Sequence, residues 1–340
     1  MDSLRTYGLT HAYLDTEIKE FSNVACGLLV RALGANLRVC YLNFNSTLLS
    51  DFFMEIFNSN SFDNVNNVTF YEKNAKINLD NLNNYDLVLF DNFSFENISK
   101  DKILDFFKNK NKNLEVVFVF SNKNELEEIK EKFDLISYYQ YNRNNYDLKG
   151  DTNSIFNSNN FNLRYNITGN GKGKSTYSFG YLIRNYIEKK DVALVYFDKG
   201  GDFYSERDFF NALEKFSQKN SSYGKFNFFV SGNVRFDGEN FRFKNCEEDI
   251  VEAKRGLELI RDNLVEKDLI VLEELNSTIS LKLLNLDEVM YILNFLKSEV
   301  MITGRYSPKN LVSISNCLIE VIDIKHYSSK GHLVRKGIDF

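Results

Sequence analysis

Short apolar runs alternate along this chain with longer stretches in which apolar residues recur every three or four positions. In the second half, the runs 163–167, 192–197, 226–230, 269–272, 300–303 and 318–322 read as strands. The stretches 174–188, 247–263 and 286–297 keep helical spacing. Strands that are apolar on both faces and separated by helices predict a mainly parallel sheet covered on both sides.

The first half has the same rhythm. Val24-Ala25-Cys26-Gly27-Leu28-Leu29-Val30-Arg31 leads into Leu37-Arg38-Val39-Cys40-Tyr41-Leu42. In the second half, Tyr177-Ser178-Phe179-Gly180-Tyr181-Leu182-Ile183-Arg184 leads into Val192-Ala193-Leu194-Val195-Tyr196-Phe197. Residues 86–91 parallel 268–273, and 115–119 parallel 299–303. Three matches in one order point to a tandem duplication; the plainer reading is the rhythm that any two α/β domains share. The polar stretch 142–162 between the halves reads as a linker.

The strongest chemical signal is Ile167-Thr168-Gly169-Asn170-Gly171-Lys172-Gly173-Lys174-Ser175-Thr176. It lies between an expected strand and an expected helix, where a glycine loop wraps a polyphosphate. Glycines let successive amides turn inward on one anion, and the helix adds its positive end. Lys174 supplies charge to the outer phosphates, and Ser175 a hydroxyl for Mg²⁺. The matching part of the first half, Thr16-Glu17-Ile18-Lys19-Glu20-Phe21-Ser22-Asn23, has no glycine and two carboxylates that repel a triphosphate. It is therefore expected to be inactive toward ATP. The expected fold is α/β, with two tandem P-loop-NTPase-like (RecA-like) domains, each a mainly parallel sheet with helices on both faces. Their bounds are 1–145 and 163–340, with the linker at 146–162.

Leu269-Ile270-Val271-Leu272-Glu273-Glu274 delivers acids to the end of a buried strand, where a P-loop protein holds Mg²⁺. In continued strand geometry Glu273 and Glu274 point to opposite faces and do different jobs. Composition narrows the task further. A net charge of −5 argues against nonspecific nucleic-acid binding. No apolar run approaches the roughly 20 residues that span a bilayer, and Met1-Asp2-Ser3-Leu4-Arg5 lacks a signal pattern. Cys26, Cys40, Cys246 and Cys317 are scattered, as expected for free thiols of a cytoplasmic protein.

The second half resembles the P-loop type of ATP:corrinoid adenosyltransferase, which makes adenosylcobalamin. TGNGKGKST with Phe179-Gly180, Tyr196-Phe197-Asp198-Lys199-Gly200, Ser205-Glu206-Arg207 and Leu272-Glu273-Glu274-Leu275-Asn276 are similar to its motifs in order. So are Leu286-Asp287-Glu288-Val289, Ile302-Thr303-Gly304-Arg305, Lys325-His326-Tyr327 and the closing Lys336-Gly337-Ile338-Asp339-Phe340. The first half resembles the family's early helix and strand, so the resemblance implies a decayed copy and an intramolecular pseudo-dimer with one working site.

What it implies about chemistry is specific. Cobalt(I) of a reduced corrinoid attacks the 5′ carbon of ATP, and triphosphate leaves. Gly169, Asn170, Gly171, Lys172, Gly173, Lys174, Ser175 and Thr176 grip the nucleotide, with Arg207 and Arg305 as further phosphate partners. Ser175, Glu274 and Glu273 form the metal shell for Mg²⁺, with Mn²⁺ as an alternative, and Lys174 and Glu274 are the catalytic pair. An electron-donor protein, flavodoxin-like, reduces the cobalt. Lys199 is a weaker phosphate candidate, and His326 reads as a packed or capping histidine.

The family's corrin loop carries an aromatic pair that includes a Trp. Here the matching region, 231–243, has no Trp, and Phe236, Phe241 and Phe243 stand in as an apolar platform or as ordinary packing. Two other classes compete: an ATPase or phosphotransferase cleaving at the γ-phosphate, and a non-catalytic module that binds ATP or corrinoid.

Overall fold

Both halves of the chain feed strands into one sheet. The computed structural model describes residues 8–43, 46–59, 67–71, 77–143, 163–235, 242 and 244–340. The first half contributes β1 (Thr10–Leu14), β2 (Val39–Asn43), β3 (Val68–Tyr71), β4 (Leu87–Phe93), β5 (Glu115–Phe120) and β6 (Leu135–Arg143). The second contributes β7 (Arg164–Thr168), β8 (Val192–Phe197), β9 (Phe226–Ser231), β10 (Leu269–Glu273), β11 (Glu299–Thr303) and β12 (Cys317–Lys325). The order is β3-β2-β4-β5-β1-β6-β12-β7-β11-β10-β8-β9. Outward from the centre, the strands of each half follow the same sequence.

Pairing is parallel within each half. The halves meet through β6 and β12, which run antiparallel. That join reverses one half against the other. The edge holding the carboxyl ends of the second-half strands therefore also holds the amino ends of the first-half strands. An α/β architecture with a mostly parallel sheet is as expected; its continuity through β6 and β12 is not. Asn142 and Arg143, read as linker from their polarity, belong to β6, where they pair with Leu318 and Cys317. The linker 146–162 lies outside the described residues.

The helices are α1 (Asn23–Gly34), α2 (Leu48–Asn58), α3 (Lys100–Asn109), α4 (Lys123–Glu127), α5 (Lys174–Ile187), α6 (Glu206–Lys219), α7 (Glu247–Asn263), α8 (Leu275–Ser280), α9 (Leu286–Phe295) and α10 (Lys309–Ser313). On one face, α1, α2, α5 and α6 pack into a single core that takes residues from both halves. On the other, the first half and the second each have a core of their own. The first half therefore cannot shed the second without exposing that shared face to water.

Beyond the β6–β12 pairing, the two halves touch most where α1 crosses α5. A Cβ at Gly27 would sit under 3.0 Å from the carbonyl oxygen of Thr176, and one at Gly180 under 3.0 Å from that of Asn23. Each helix thus presents a glycine to the other's first turn. Two buried arginines repeat the exchange: Arg31 pairs with Glu206 at 3.1 Å, and Arg184 with Glu20 at 2.9 Å. Among the described residues, no helix is long and apolar enough to cross a membrane.

Candidate active site

The loop after β7 turns on glycines in conformations that other residues rarely adopt: Gly169 has φ +100° and Gly173 φ +114°. Gly173 is also the residue before α5, and it caps that helix with no side chain. The first amides of α5 are therefore left for an anion. The loop is held from beneath by Gly171 N–H, which donates to Val321 O at 2.8 Å. The Tyr139 hydroxyl, from the first half, donates to Gly173 O at 3.0 Å.

Above the loop lies a cavity of about 290 Å³. Residues 171–176 form its floor. Among the described residues, Arg31, Lys172, Lys174, Lys199 and Arg305 line it, against the carboxylates of Glu274 and Asp339. Five cations to two anions favour a polyanionic ligand. The Lys174 ammonium donates to Gly169 O and Gly171 O, each at 2.8 Å. Burial pushes its pKa down to about 8.

The acidic end is built around Lys199. Its ammonium lies 2.6 Å from Glu273 Oε1, 3.3 Å from Glu274 Oε1 and 3.0 Å from Ser175 Oγ. Burial alone would lower the Lys199 pKa, but Glu273 and Glu274 outweigh it and raise it. Glu273 is fully buried, and its other oxygen accepts from Thr303 Oγ1 at 2.6 Å and Ser178 Oγ at 3.2 Å. Glu274 leaves strand geometry with φ +64°, so the two carboxylates converge instead of diverging. Glu273 sits behind the wall, while Glu274 faces the cavity and accepts from Ser277 Oγ at 2.6 Å. Burial works to raise the Glu274 pKa, and Lys199, Ser277 and Lys174 together hold it below the ordinary value. Three oxygen donors converging on one ammonium fit a hard cation.

The sequence-derived residues divide as follows. Lys172, Lys174, Ser175, Thr176, Glu274 and Arg305 line the cavity. Gly169 and Asn170 lie on the loop outside its wall. Arg207 does not line it either: its guanidinium donates to the carbonyls of Lys199 and Gly201 and covers the Tyr196 and Tyr204 rings. Phe236, Phe241 and Phe243 lie outside the described residues. His326 accepts from Ser328 N–H at 3.1 Å through Nδ1, a capping role.

Tyr13, Arg31 and Tyr204 line the cavity without having been singled out, and two of them belong to the first half. Arg31 Nη1 donates to Thr176 Oγ1 and to Ile338 O, both at 3.3 Å. The one sequence hint was its place opposite Arg184 in the matched stretches. The family model of ATP:corrinoid adenosyltransferase BtuR/CobO/CobP matches residues 163–340, the part that carries this loop and cavity floor.

The chain belongs to that adenosyltransferase family. It is 30% identical to the corrinoid adenosyltransferase CobA of Salmonella typhimurium over 180 residues, covering 51% of this chain and 83% of that one. It is 28% identical to a corrinoid adenosyltransferase of Pseudomonas aeruginosa over 177 residues, covering 51% and 81%. A third, from Escherichia coli K12, is 29% identical over 178 residues, covering 51% and 83%. All three align with about half of this adenosyltransferase, and the family match falls on the second half.

Proposed function

We propose that the cavity binds ATP with its triphosphate on the 169–176 loop, and that this enzyme moves the 5′-deoxyadenosyl group to the cobalt of a reduced corrinoid. The carrying observation is the convergence of free α5 amides, five cationic side chains and an acidic pair on one cavity within the family-matched half. Cobalt(I) supplies the electron pair for the new Co–C5′ bond. The C5′–O bond breaks, and its electron pair departs with the triphosphate. The protein needs no nucleophile of its own, because the corrinoid carries that chemistry.

What the chain supplies is grip and aim. Lys174 and Lys172, with the loop amides, take the phosphate charge, and Arg305 takes it from the opposite wall. Lys174 and Glu274 remain our candidates for the catalytic pair. Ser175, Glu274 and Glu273 would hold Mg²⁺, or Mn²⁺ in its place. The cation draws charge from the leaving phosphate oxygens when bound. The ammonium of Lys199, seated among those oxygens, supports a cationic site there.

Phe236 and Phe241 are assigned to the corrin face. The first half is read as a decayed copy, making an intramolecular pseudo-dimer of regions 1–145 and 163–340 with one working site. The matching strand order and the paired glycines support that reading. A flavodoxin-like electron donor completes it. The free thiols, three of them buried, support a cytoplasmic location.

Incubation with MgATP and chemically reduced cobalamin tests the assignment. A light-sensitive Co–C product with one intact tripolyphosphate per turnover is expected. ADP plus phosphate, or tight binding without that product, overturns it.

A further inference from the structure

A buried run of alternating charges joins the first half to the phosphate loop. His11 on β1 and Glu115 at the start of β5 come from the first half, Arg335 and Asp339 from the tail, and Lys172 from the loop. His11 Nε2 lies 2.9 Å from Glu115 Oε1, and Arg335 Nη1 donates to the same oxygen at 2.6 Å. Arg335 then donates to Asp339 Oδ2 through its backbone N at 2.8 Å and through Nε at 3.1 Å. Asp339 Oδ1 accepts from the Tyr327 hydroxyl at 2.7 Å and from the Lys172 ammonium. His11, Glu115 and Arg335 are each 5% exposed or less. Within the run, Lys172 and Asp339 reach the cavity.

The antiparallel join explains how this run is possible. It brings the amino ends of β1 and β5 to the edge where the loop after β7 ends. The rings hold the same path: Tyr327 stacks on His11 with centroids 5.9 Å apart, and Arg335 and Lys172 lie over it at 4.8 and 5.0 Å. Each carboxylate in the run stands between two cations or a cation and His11. Removing one charge forces its neighbours to pair again. A neutral Glu115 frees Arg335 to move toward Asp339, and Asp339 then loosens its hold on Lys172.

We propose that the first half sets the strength of the triphosphate grip through this run. Glu115 and Arg335 are positioning residues for Asp339, and Asp339 aims Lys172 over the phosphate loop. The proposal rests on the reading that ATP's triphosphate occupies that loop. It gives the half that lacks a glycine loop a defined task at the site it does not itself contain.

Calorimetric titration of the full-length chain with MgATP, and separately with tripolyphosphate, tests this. Glu115→Gln should weaken both ligands five- to twentyfold and leave the KM for corrinoid unchanged. Arg335→Lys, which keeps the charge but not the fork, should fall between Glu115→Gln and the unaltered chain. Asp91→Asn is the control: it alters a buried carboxylate of the first half at the opposite sheet edge and should leave both affinities unchanged. If Glu115→Gln does not fold, Asp339→Asn breaks the same run at the tail and should give the same weakening. Affinities within twofold of the unaltered chain for Glu115→Gln, or for Asp339→Asn in its place, overturn the proposal. So does equal weakening by Asp91→Asn. No MgATP binding by the unaltered chain would instead overturn the assignment of the site.

Discussion

The loops that precede α1 and α5 stand at corresponding places in the two halves, and they end their helices in opposite ways. Ser22 caps α1: its hydroxyl accepts from Ala25 N–H at 3.0 Å, and its own N–H donates to the Asp91 carboxylate at 3.1 Å. Tyr41 donates to the same carboxylate at 2.6 Å. Asp91 ends a buried run, as Glu273 does, but it satisfies the helix instead of a cation. Before α5 stands Gly173, with no side chain to offer. The serine cap takes an amide of the first turn that a phosphate would otherwise use, and the carboxylate beside it repels an anion. At the corresponding place in the first half a serine and an aspartate thus occupy the helix end, while the strand order matches that of the second half.

The largest expected break in that contrast is Lys174→Ala. Turnover should fall on the order of 10²–10³-fold, with MgATP binding lost in calorimetry; unchanged activity would take the loop out of the mechanism. Next is pH. With the free amine at about 8, the Kd for MgATP should be flat below that pH. Above it, binding must recharge Lys174, so Kd should rise by up to about tenfold per unit. Lys174→Arg should shift that rise to higher pH.

Gly180→Ala drives a methyl into Asn23 O. It should cost about 1–3 kcal/mol, or about 2–12 °C in Tm, in one transition common to both halves. Two transitions would contradict the shared core.

Asp91 sharpens the comparison from the first-half side. Burial raises its pKa to about 6 against the hydrogen bonds of Ser22 and Tyr41. The folded state therefore holds a proton more tightly than the unfolded one. The group's contribution to stability is full below about pH 4 and lost as pH rises through 6. The difference in stability between the unaltered chain and Asp91→Asn should change by on the order of 3 kcal/mol across that window. The smallest effect belongs to Glu17→Gln and Glu20→Gln. Their partners, Arg143 and Arg184, lie away from the cavity, and turnover should stay within about twofold. A larger loss would mean that the first-half loop reaches the working site.

Most of this fold is legible locally. The 192–197 run and the 247–263 helix emerge with the bounds that their patterning predicts, because hydrophobic period and turn chemistry act over a few residues. Among the second-half helices, α6 was not expected although it runs 14 residues, and the short α8 and α10 were missed because one or two turns carry too little periodicity. The glycine loop was legible because its chemistry is contiguous. Arg31 and Tyr13 were not, because only the joining of the two halves, at the α1–α5 crossing and the β6–β12 pair, brings them to the cavity, and nothing local to those elements specifies the partner. The convergence of Glu273 and Glu274 turns on a single positive φ at a glutamate, which residue type does not announce.

Arg31 must wait for Thr176, its partner 145 residues downstream. At ribosomal speeds of about 5–20 residues per second, that wait is roughly 7 to 30 s. Throughout it, the fully buried surface of α1 has no second half to lie against. A nascent chain with this architecture exposes an apolar helix for the whole time its later half is being made, so its yield in the cell depends on sheltering during translation as much as on final stability.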